Sequence, residues 1–111
     1  MKHEILILEK AKKFLDELEL KLKAKSFRAI QLLSEFGPNL PEPHSKKIVG
    51  VSGLFELRVK QGSNICRFFY FHYRDKVYVV TSGYVKKDQK INRNEIDQAI
   101  KLMKEYRDKS I

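Results

Sequence analysis

The segment from residue 54 to residue 82 constrains the fold most, because it contains three β-strand patterns separated by very short turns. "LFELRVK" (54–60) alternates, with Phe55, Leu57 and Val59 on one side and charged residues on the other. "ICRFFYFHY" (65–73) and "VYVVTS" (77–82) are rich in β-branched and aromatic residues, and "QGSN" (61–64) and "RDK" (74–76) are turn-forming. Strands joined by loops this short pair as antiparallel hairpins, so we predict a β-meander.

Helical patterns flank this meander on both sides. In the N-terminal third, apolar residues recur at the i, i+3, i+4 spacing of one buried helix face; they are Ala11, Phe14, Leu15, Leu18 and Leu22, followed with a shifted phase by Phe27, Ile30 and Leu33. This spacing predicts two helices, or one kinked helix, ending at Gly37–Pro38. Asn92 and Glu95 predict the N-terminus of a last helix, whose buried stripe is Ile96, Ala99, Ile100 and Met103. The fold class is therefore α+β, while "HEILIL" (3–8) fits either a short strand or the start of a helix.

The net charge points to an anionic partner. Lys and Arg number 23 against 14 acidic residues, a formal net charge of +9, and the surplus is concentrated after residue 40. Such an excess favours nucleic acid or a membrane surface as the partner. The 111 residues suit one domain, the single cysteine excludes an internal disulfide, and the apolar run at 5–8 is far too short to span a membrane. We expect a single cytoplasmic domain covering residues 1–111 that does not cross a membrane, and of the two kinds of anionic partner we expect nucleic acid and no membrane.

The predicted strand register gathers several cations on one face of the sheet. If the turn at 61–64 pairs Lys60 with Ile65, Arg58 lies opposite Arg67, an unfavourable like-charge pair that a sheet has no structural need for. If Tyr73 pairs with Val77, Arg67 falls opposite Gly83, where the chain would turn and deliver the next residues, Tyr84, Lys86 and Lys87. A cluster of this kind suits a phosphate group, because arginine offers a planar fork of donors and lysine a mobile charge. A solvated basic face with scattered ion pairs is the other interpretation.

Other polar residues carry weaker signals. Tyr84 could stack on a base, assist proton transfer or simply pack, and Glu56 could pair with Arg58 or Lys60. Cys66 should be a small buried hydrophobic residue, since it points away from Arg67. The three histidines share no metal-ligand spacing, and His3 is expected in a mobile terminus. We therefore predict no metal site and no cofactor. We also predict that Arg67 has no role in the stability of the fold.

Two long stretches resemble a known family. "GLFELRVKQGSNICRFFYF" followed by "SGYVKKDQKINRNEIDQAI" resembles the phage-derived, HigB-like branch of the RelE/ParE superfamily of type II toxins. The resemblance covers about residues 10–105 and includes "FLDEL" and "LLSEFGPNLPEPHSKKI". It implies a RelE-like fold, with N-terminal helices packed on a twisted antiparallel sheet and a C-terminal helix. Tyr84 stands where the family usually has Phe, and Cys66 where it usually has Tyr.

The resemblance also implies an activity, a partner and a site. It implies a toxin that cuts mRNA on the ribosome and inhibits translation, held inactive by a cognate antitoxin, commonly a helix-turn-helix, HigA-like protein. The family uses Arg and Lys from the central strands and the segment after them, which here gives the catalytic candidates Arg58, Arg67, Lys86 and Lys87, with Tyr84 beside them. Lysines expected to bind the RNA backbone are Lys46, Lys47, Lys60 and Lys90.

The chemistry of RNA is consistent with such a site. RNA carries its own nucleophile, the 2′-hydroxyl, so the protein must align the phosphate, move one proton and stabilise the added negative charge. Arg58 and Arg67 would hold the phosphate, and Lys86 or Lys87 would accept or donate a proton, without a metal. The alternative is a non-catalytic, ParE-like toxin or an RNA-binding module that blocks a protein or RNA target, in which the cations serve affinity alone.

Overall fold

The computed structural model describes residues 2–86 and 92–109 and confirms the α+β class. Its elements in chain order are β1 (Glu4–Ile7), α1 (Glu9–Glu17), α2 (Leu20–Phe36), a 3-10 turn (Gly37–Asn39), β2 (Ser45–Lys47), β3 (Leu54–Gln61), β4 (Asn64–Arg74), β5 (Val77–Lys86) and α3 (Arg93–Lys109). Helices flank the meander as predicted, and the three long strands are each longer than the sequence pattern indicated.

The five strands form one sheet in the order β1-β5-β4-β3-β2. The predicted antiparallel meander occupies its centre, and β2 pairs antiparallel with β3. The "HEILIL" segment resolves as a strand, since β1 pairs parallel with β5. The strand β2 was not predicted, because its three residues lie in a proline-rich connector and are too short to show a period.

Each face of the sheet buries its own apolar cluster. The helices α1 and α2 cover one face through Ala11, Leu15, Leu22, Ile30 and Leu33, which pack on Leu57, Phe68 and Val80 among others. The other face packs against α3 through Leu54, Phe69, Phe71, Val79, Ile96, Ala99 and Met103. Phe27 was predicted in the first cluster, but its side chain is 50% exposed, so that prediction was wrong.

The two N-terminal helices are separate, which settles the choice between two helices and one kinked helix. The break falls at Leu18 and Glu19. The Glu19 carboxylate caps α2 by accepting hydrogen bonds from the backbone N–H groups of Lys21 and Leu22, at 3.2 and 2.8 Å. The helix ends at Gly37, as predicted, in a positive-φ conformation that favours glycine.

One predicted strand register is correct and the other is offset by one residue. Arg58 pairs with Arg67, as predicted from the short turn between β3 and β4. In the β4–β5 pair the predicted register holds only from His72 opposite Tyr78 to Tyr70 opposite Val80. Val77 pairs with Arg74 and not with Tyr73 as predicted, and Phe69 pairs with Ser82. Thr81 is therefore an extra residue, a β-bulge. As a result Arg67 lies opposite Tyr84, and the expected pairing with Gly83 is wrong.

Gly83 also does not form a turn, because β5 continues through it to Lys86. Its role is close packing: a Cβ at this position would lie 2.7 Å from a ring carbon of Phe14 on α1 and 2.9 Å from one of Phe68 on β4. The absence of a side chain lets α1 approach the sheet. Tyr84 is consequently a strand residue, with its orientation fixed by the pleat.

The variant Gly83→Ala is expected to lower the free energy of unfolding by about 1–3 kcal/mol, because the added methyl group overpacks the Phe14 contact. Urea unfolding measures the loss. Phe14→Leu alone should also destabilise, but in the double variant the two losses should sum to less than their separate values, since the smaller side chain makes room for the methyl group. Strict additivity, or an unchanged midpoint for Gly83→Ala, would contradict the packing role.

Candidate active site

Three polar side chains stand in a row across the central strands. Arg58 on β3 lies opposite Arg67 on β4, and Arg67 lies opposite Tyr84 on β5. Residues directly opposite in antiparallel strands project from the same face, so all three share the face on which α3 packs. Lys86 is two residues beyond Tyr84 and projects from this face as well. The predicted convergence of Arg58 and Arg67 on one face is thus present, with Tyr84 closer than the predicted register placed it.

Arg67 is held by a buried carboxylate. Its Nη1 donates to Oε1 of Glu56 on the neighbouring strand, and the two side chains are only 14% and 7% exposed. The sequence suggested Arg58 or Lys60 as partners of Glu56, and the ion pair with Arg67 corrects this. It also corrects the expectation that Arg67 has no stability role, because a buried charge that loses its partner is strongly destabilising.

The remaining donors of Arg67 include one without a protein partner. The Nε atom is buried and has no hydrogen-bond acceptor among the described residues. Such orphaned donors are uncommon, because burying a polar group without a partner costs about 1–3 kcal/mol. The ion pair with Glu56 therefore fixes an arginine fork whose hydrogen-bonding capacity is only partly used within the protein.

Two small depressions flank Arg67, and we name them together the Arg67 groove. One, of about 140 Å³, is lined by residues that include Lys46, Glu56, Arg67, Tyr84, Lys86 and Arg93. The other, of about 240 Å³, is lined by Glu42, Pro43, Lys46, Glu56, Arg58 and Arg67. Lys46, Glu56 and Arg67 contribute to both, so the depressions adjoin. The groove is basic and narrow, which suits an extended anionic chain better than a bulky ligand.

Tyr84 lies in the wall of the groove in a partly apolar setting. Its ring stacks on Phe69, with the ring centroids 5.7 Å apart and the planes inclined by 17°. Burial raises the pKa of the phenol above its ordinary value, with a lowering contribution from the charge of Arg67 and raising contributions from Glu56 and Glu95. The phenol is therefore protonated at neutral pH, which makes it a proton donor rather than a base.

The other predicted site residues divide into three groups. Lys46 and Lys47 line the groove, while Lys60 is exposed further along β3 and does not line it. Lys87 and Lys90 lie outside the described residues.

Two predictions about residues away from the groove can also be compared with the structure. Cys66 is fully buried on the opposite face, as predicted, and burial raises the pKa of its thiol. His3 is anchored and not mobile, since Ser34 Oγ donates to its carbonyl oxygen at 2.6 Å.

Sequence reasoning missed several residues that line the groove, among them Glu56 and Arg93. Glu56 was considered only as a partner of its own strand neighbours, although it is diagonal to Arg67 once the correct β3–β4 register is applied. Arg93 begins α3 and lines the groove. A basic residue in the first turn of a helix opposes the helix dipole, and that departure was the available signal.

The fold is that of the RelE toxins. A variant of the E. coli toxin RelE in the free state superposes with a TM-score of 0.64 at 19% identity, covering 91% of this chain and 97% of that one. The intact E. coli RelBE toxin–antitoxin complex matches at 0.57 and 21% identity, over 79% and 99% of the two chains. An archaeal RelE–RelB complex from Pyrococcus horikoshii OT3 matches at 0.55 and 20%, over 82% and 100%. The RelE-like fold expected from the resemblance is confirmed.

The chain belongs to the family described as "Phage derived protein Gp49-like", whose pattern it matches over residues 13–104. This agrees with the phage-derived branch that the sequence resembled. No curated protein sequence matches the chain. Within residues 2–86 and 92–109, none of the helices combines the length and the apolar character that crossing a bilayer requires.

Proposed function

We propose that this protein is the toxin of a type II toxin–antitoxin system and that it cuts mRNA on the ribosome, which stops translation. The observation that carries the proposal is the row of Arg58, Arg67 and Tyr84, with Arg67 held in place by the buried carboxylate of Glu56. A fixed arginine, a second arginine beside it and a protonated phenol in a narrow basic groove match what RNA cleavage at a phosphate requires.

The proposed reaction uses the nucleophile of the substrate. The 2′-oxygen attacks the adjacent phosphorus, its proton passes to an acceptor, and the bond from phosphorus to the 5′-oxygen breaks. Arg58 and Arg67 neutralise the additional negative charge on the phosphate oxygens as it develops. The products are a 2′,3′-cyclic phosphate and a 5′-hydroxyl, so water is not the nucleophile, and the proposed roles of the side chains require no metal or cofactor.

Two of the residues proposed to transfer protons, Tyr84 and Lys86, lie on β5. Tyr84 donates its phenolic proton to the departing 5′-oxygen, a role that suits a phenol protonated at neutral pH. Lys86, on the same face, is the candidate acceptor for the proton of the 2′-hydroxyl, and Lys87 next to it in the sequence is the second candidate. Lys46, Lys47, Lys60 and Lys90 would bind the RNA backbone through their charge.

The proposed partners follow from the proposed activity. An active toxin would harm its own cell, so we expect a cognate antitoxin, and two of the solved structures with this fold are complexes of RelE with RelB. The antitoxin would be of the helix-turn-helix, HigA-like type. The other partners are the ribosome and mRNA in the cytoplasm, and residues 1–111 would act as one toxin domain.

Purified protein mixed with ribosomes carrying a defined mRNA tests the proposal. We expect cuts in the ribosome-bound message and none in the same RNA alone. The 2′,3′-cyclic phosphate ends should resist polyadenylation even after phosphatase treatment, and should accept it only when acid opens the ring before the phosphatase is added. A gyrase supercoiling assay runs in parallel. Intact mRNA on active ribosomes would refute the nuclease activity, and inhibition of gyrase in that case would establish the non-catalytic alternative.

A further inference from the structure

A larger cavity lies on the other face of the sheet from the Arg67 groove. Its volume is about 520 Å³, and it opens between the sheet and the segment that follows α2. Sites for small organic ligands occupy about 300–1,000 Å³. The cavity is therefore large enough for one nucleotide, whereas the depressions of the Arg67 groove are not.

Aromatic rings form most of the wall that the strands contribute. Phe55 and Tyr70 stack with centroids 5.5 Å apart and planes inclined by 20°, and Tyr78 meets Tyr70 edge-on at 6.0 Å. His3 and His72 stand at the rim against Tyr78, at 5.5 and 5.1 Å. Tyr70 and Tyr78 are buried, while Phe55 is only partly buried and leaves part of its ring open to a planar ligand.

Two lysines connect this cavity to the Arg67 groove. Lys46 and Lys47 are consecutive, exposed residues of β2, the strand at the edge of the sheet, so they point to opposite faces. Both line the cavity, and both also line the Arg67 groove. A polyanion lying in the groove can thus pass over the β2 edge of the sheet and reach the cavity while it stays in contact with these two lysines.

We propose that this cavity, which we name the Phe55 cavity, binds one unpaired base of the RNA strand whose backbone crosses β2. The proposal rests on the part of the proposed function that places RNA in the Arg67 groove, and not on its cleavage there. Proteins recognise single-stranded RNA by stacking its splayed bases on aromatic rings while cations follow the phosphates, which is the combination found here. An acidic residue, Asp75, also lines the cavity, and its carboxylate would disfavour a phosphate inside, so the base enters and the phosphate stays at the lysines.

The test measures binding of a short single-stranded RNA with 2′-O-methyl groups, which cannot be cut, and one 2-aminopurine whose fluorescence falls on stacking. Phe55→Leu should weaken binding about five- to a hundredfold and abolish the quenching, because one stacked base is lost. Lys47→Ala should weaken binding and lower the slope of log K against log salt by about one. Phe27→Leu and Lys21→Ala, exposed residues of α2 outside the cavity, serve as matched controls and should bind like the parent.

The outcomes separate this proposal from the proposed function. If Phe55→Leu is folded and binds and quenches like the parent, or if the parent itself fails to bind and quench, the RNA site is refuted. If the variant binds RNA normally but loses affinity for the antitoxin, the cavity is a protein-docking site and the proposal is also refuted. A parent that quenches through Phe55 yet cuts no mRNA on active ribosomes supports the cavity and refutes only the nuclease activity.

Discussion

Replacing Arg67 by alanine is expected to slow cleavage of ribosome-bound mRNA by about a hundred- to a thousandfold, the usual effect of removing one preorganised transition-state contact. Arg67 stands at the centre of the row, between Arg58 and Tyr84, and Glu56 fixes its side chain. In the proposed site its guanidinium would therefore meet the phosphate without rearranging. Single-turnover cleavage at saturating ribosomes measures the rate, and growth arrest on induction measures toxicity.

The same substitution also disturbs the fold, and the experiment must separate the two effects. Arg67→Ala leaves the charge of Glu56 buried without a partner, which costs about 3–5 kcal/mol. In the double variant Glu56→Gln with Arg67→Ala the buried group is neutral, so urea unfolding should show most of the stability restored while cleavage stays slow. Arg28→Ala, which removes an exposed arginine of α2, is the matched control and should change stability by less than about 0.5 kcal/mol. A folded double variant that cuts at the parental rate would show that Arg67 has no part in cleavage.

Replacing Tyr84 by phenylalanine is expected to slow cleavage at least about a hundredfold, the lower end of what a general acid contributes. Phenylalanine retains the stacking on Phe69 and removes only the proton that the 5′-oxygen needs. The folded-state pKa of the phenol is raised by burial, so the proton is in place below the ordinary value of about 10 and is lost only at higher pH. The parent should accordingly show no decline attributable to Tyr84 between pH 6 and 9.

A change of leaving group distinguishes proton donation from stacking. With sulfur in place of the 5′-oxygen at the cut bond, the leaving group departs without a proton, and Tyr84→Phe should then cut at close to the parental rate. The control is Tyr73→Phe, since Tyr73 packs against the apolar cluster under α3 and does not line the groove. This variant should match the parent on both substrates. Equal slowing of Tyr84→Phe on oxygen and sulfur substrates would assign the tyrosine to positioning alone.

The sequence predicted the parts of the site that depend on a short turn. Between β3 and β4 only Gly62 and Ser63 leave the ladder, so pairing outward from the turn placed Arg58 opposite Arg67 correctly. The β4–β5 register failed at Thr81, because a bulge in a run of β-branched residues has no local signature. Gly83 was misinterpreted for a related reason: a glycine needed for the approach of a distant helix looks in sequence like a glycine needed for a turn.

The buried ion pair could not be predicted from pattern alone. Alternation placed Glu56, Arg58 and Lys60 on one face of β3, but it did not show that Glu56 becomes buried while the other two stay exposed. That difference is a tertiary effect: β2 pairs with β3 only at residues 55–57, so Glu56 has a strand on each side, whereas Arg58 and Lys60 lie beyond the end of β2. The buried faces of the helices were easier to predict from the sequence, since Ile96, Ala99 and Met103 repeat at helical spacing and are all buried as predicted.

The bulge at Thr81 divides β5 into two segments with different roles. Before the bulge, Val79 and Val80 pack in the apolar clusters on the two faces of the sheet. After it, Tyr84 and Lys86 line the groove. Bulges re-aim the side chains that follow them, and a shift of one residue exchanges the two faces of a strand. An inserted residue at this point would place Gly83 opposite Arg67 if the bulge were kept, whereas the loss of one residue would remove the bulge and leave Tyr84 opposite Arg67. Insertions here would therefore change the residue beside Arg67 while the core sequence stays the same, whereas deletions would not.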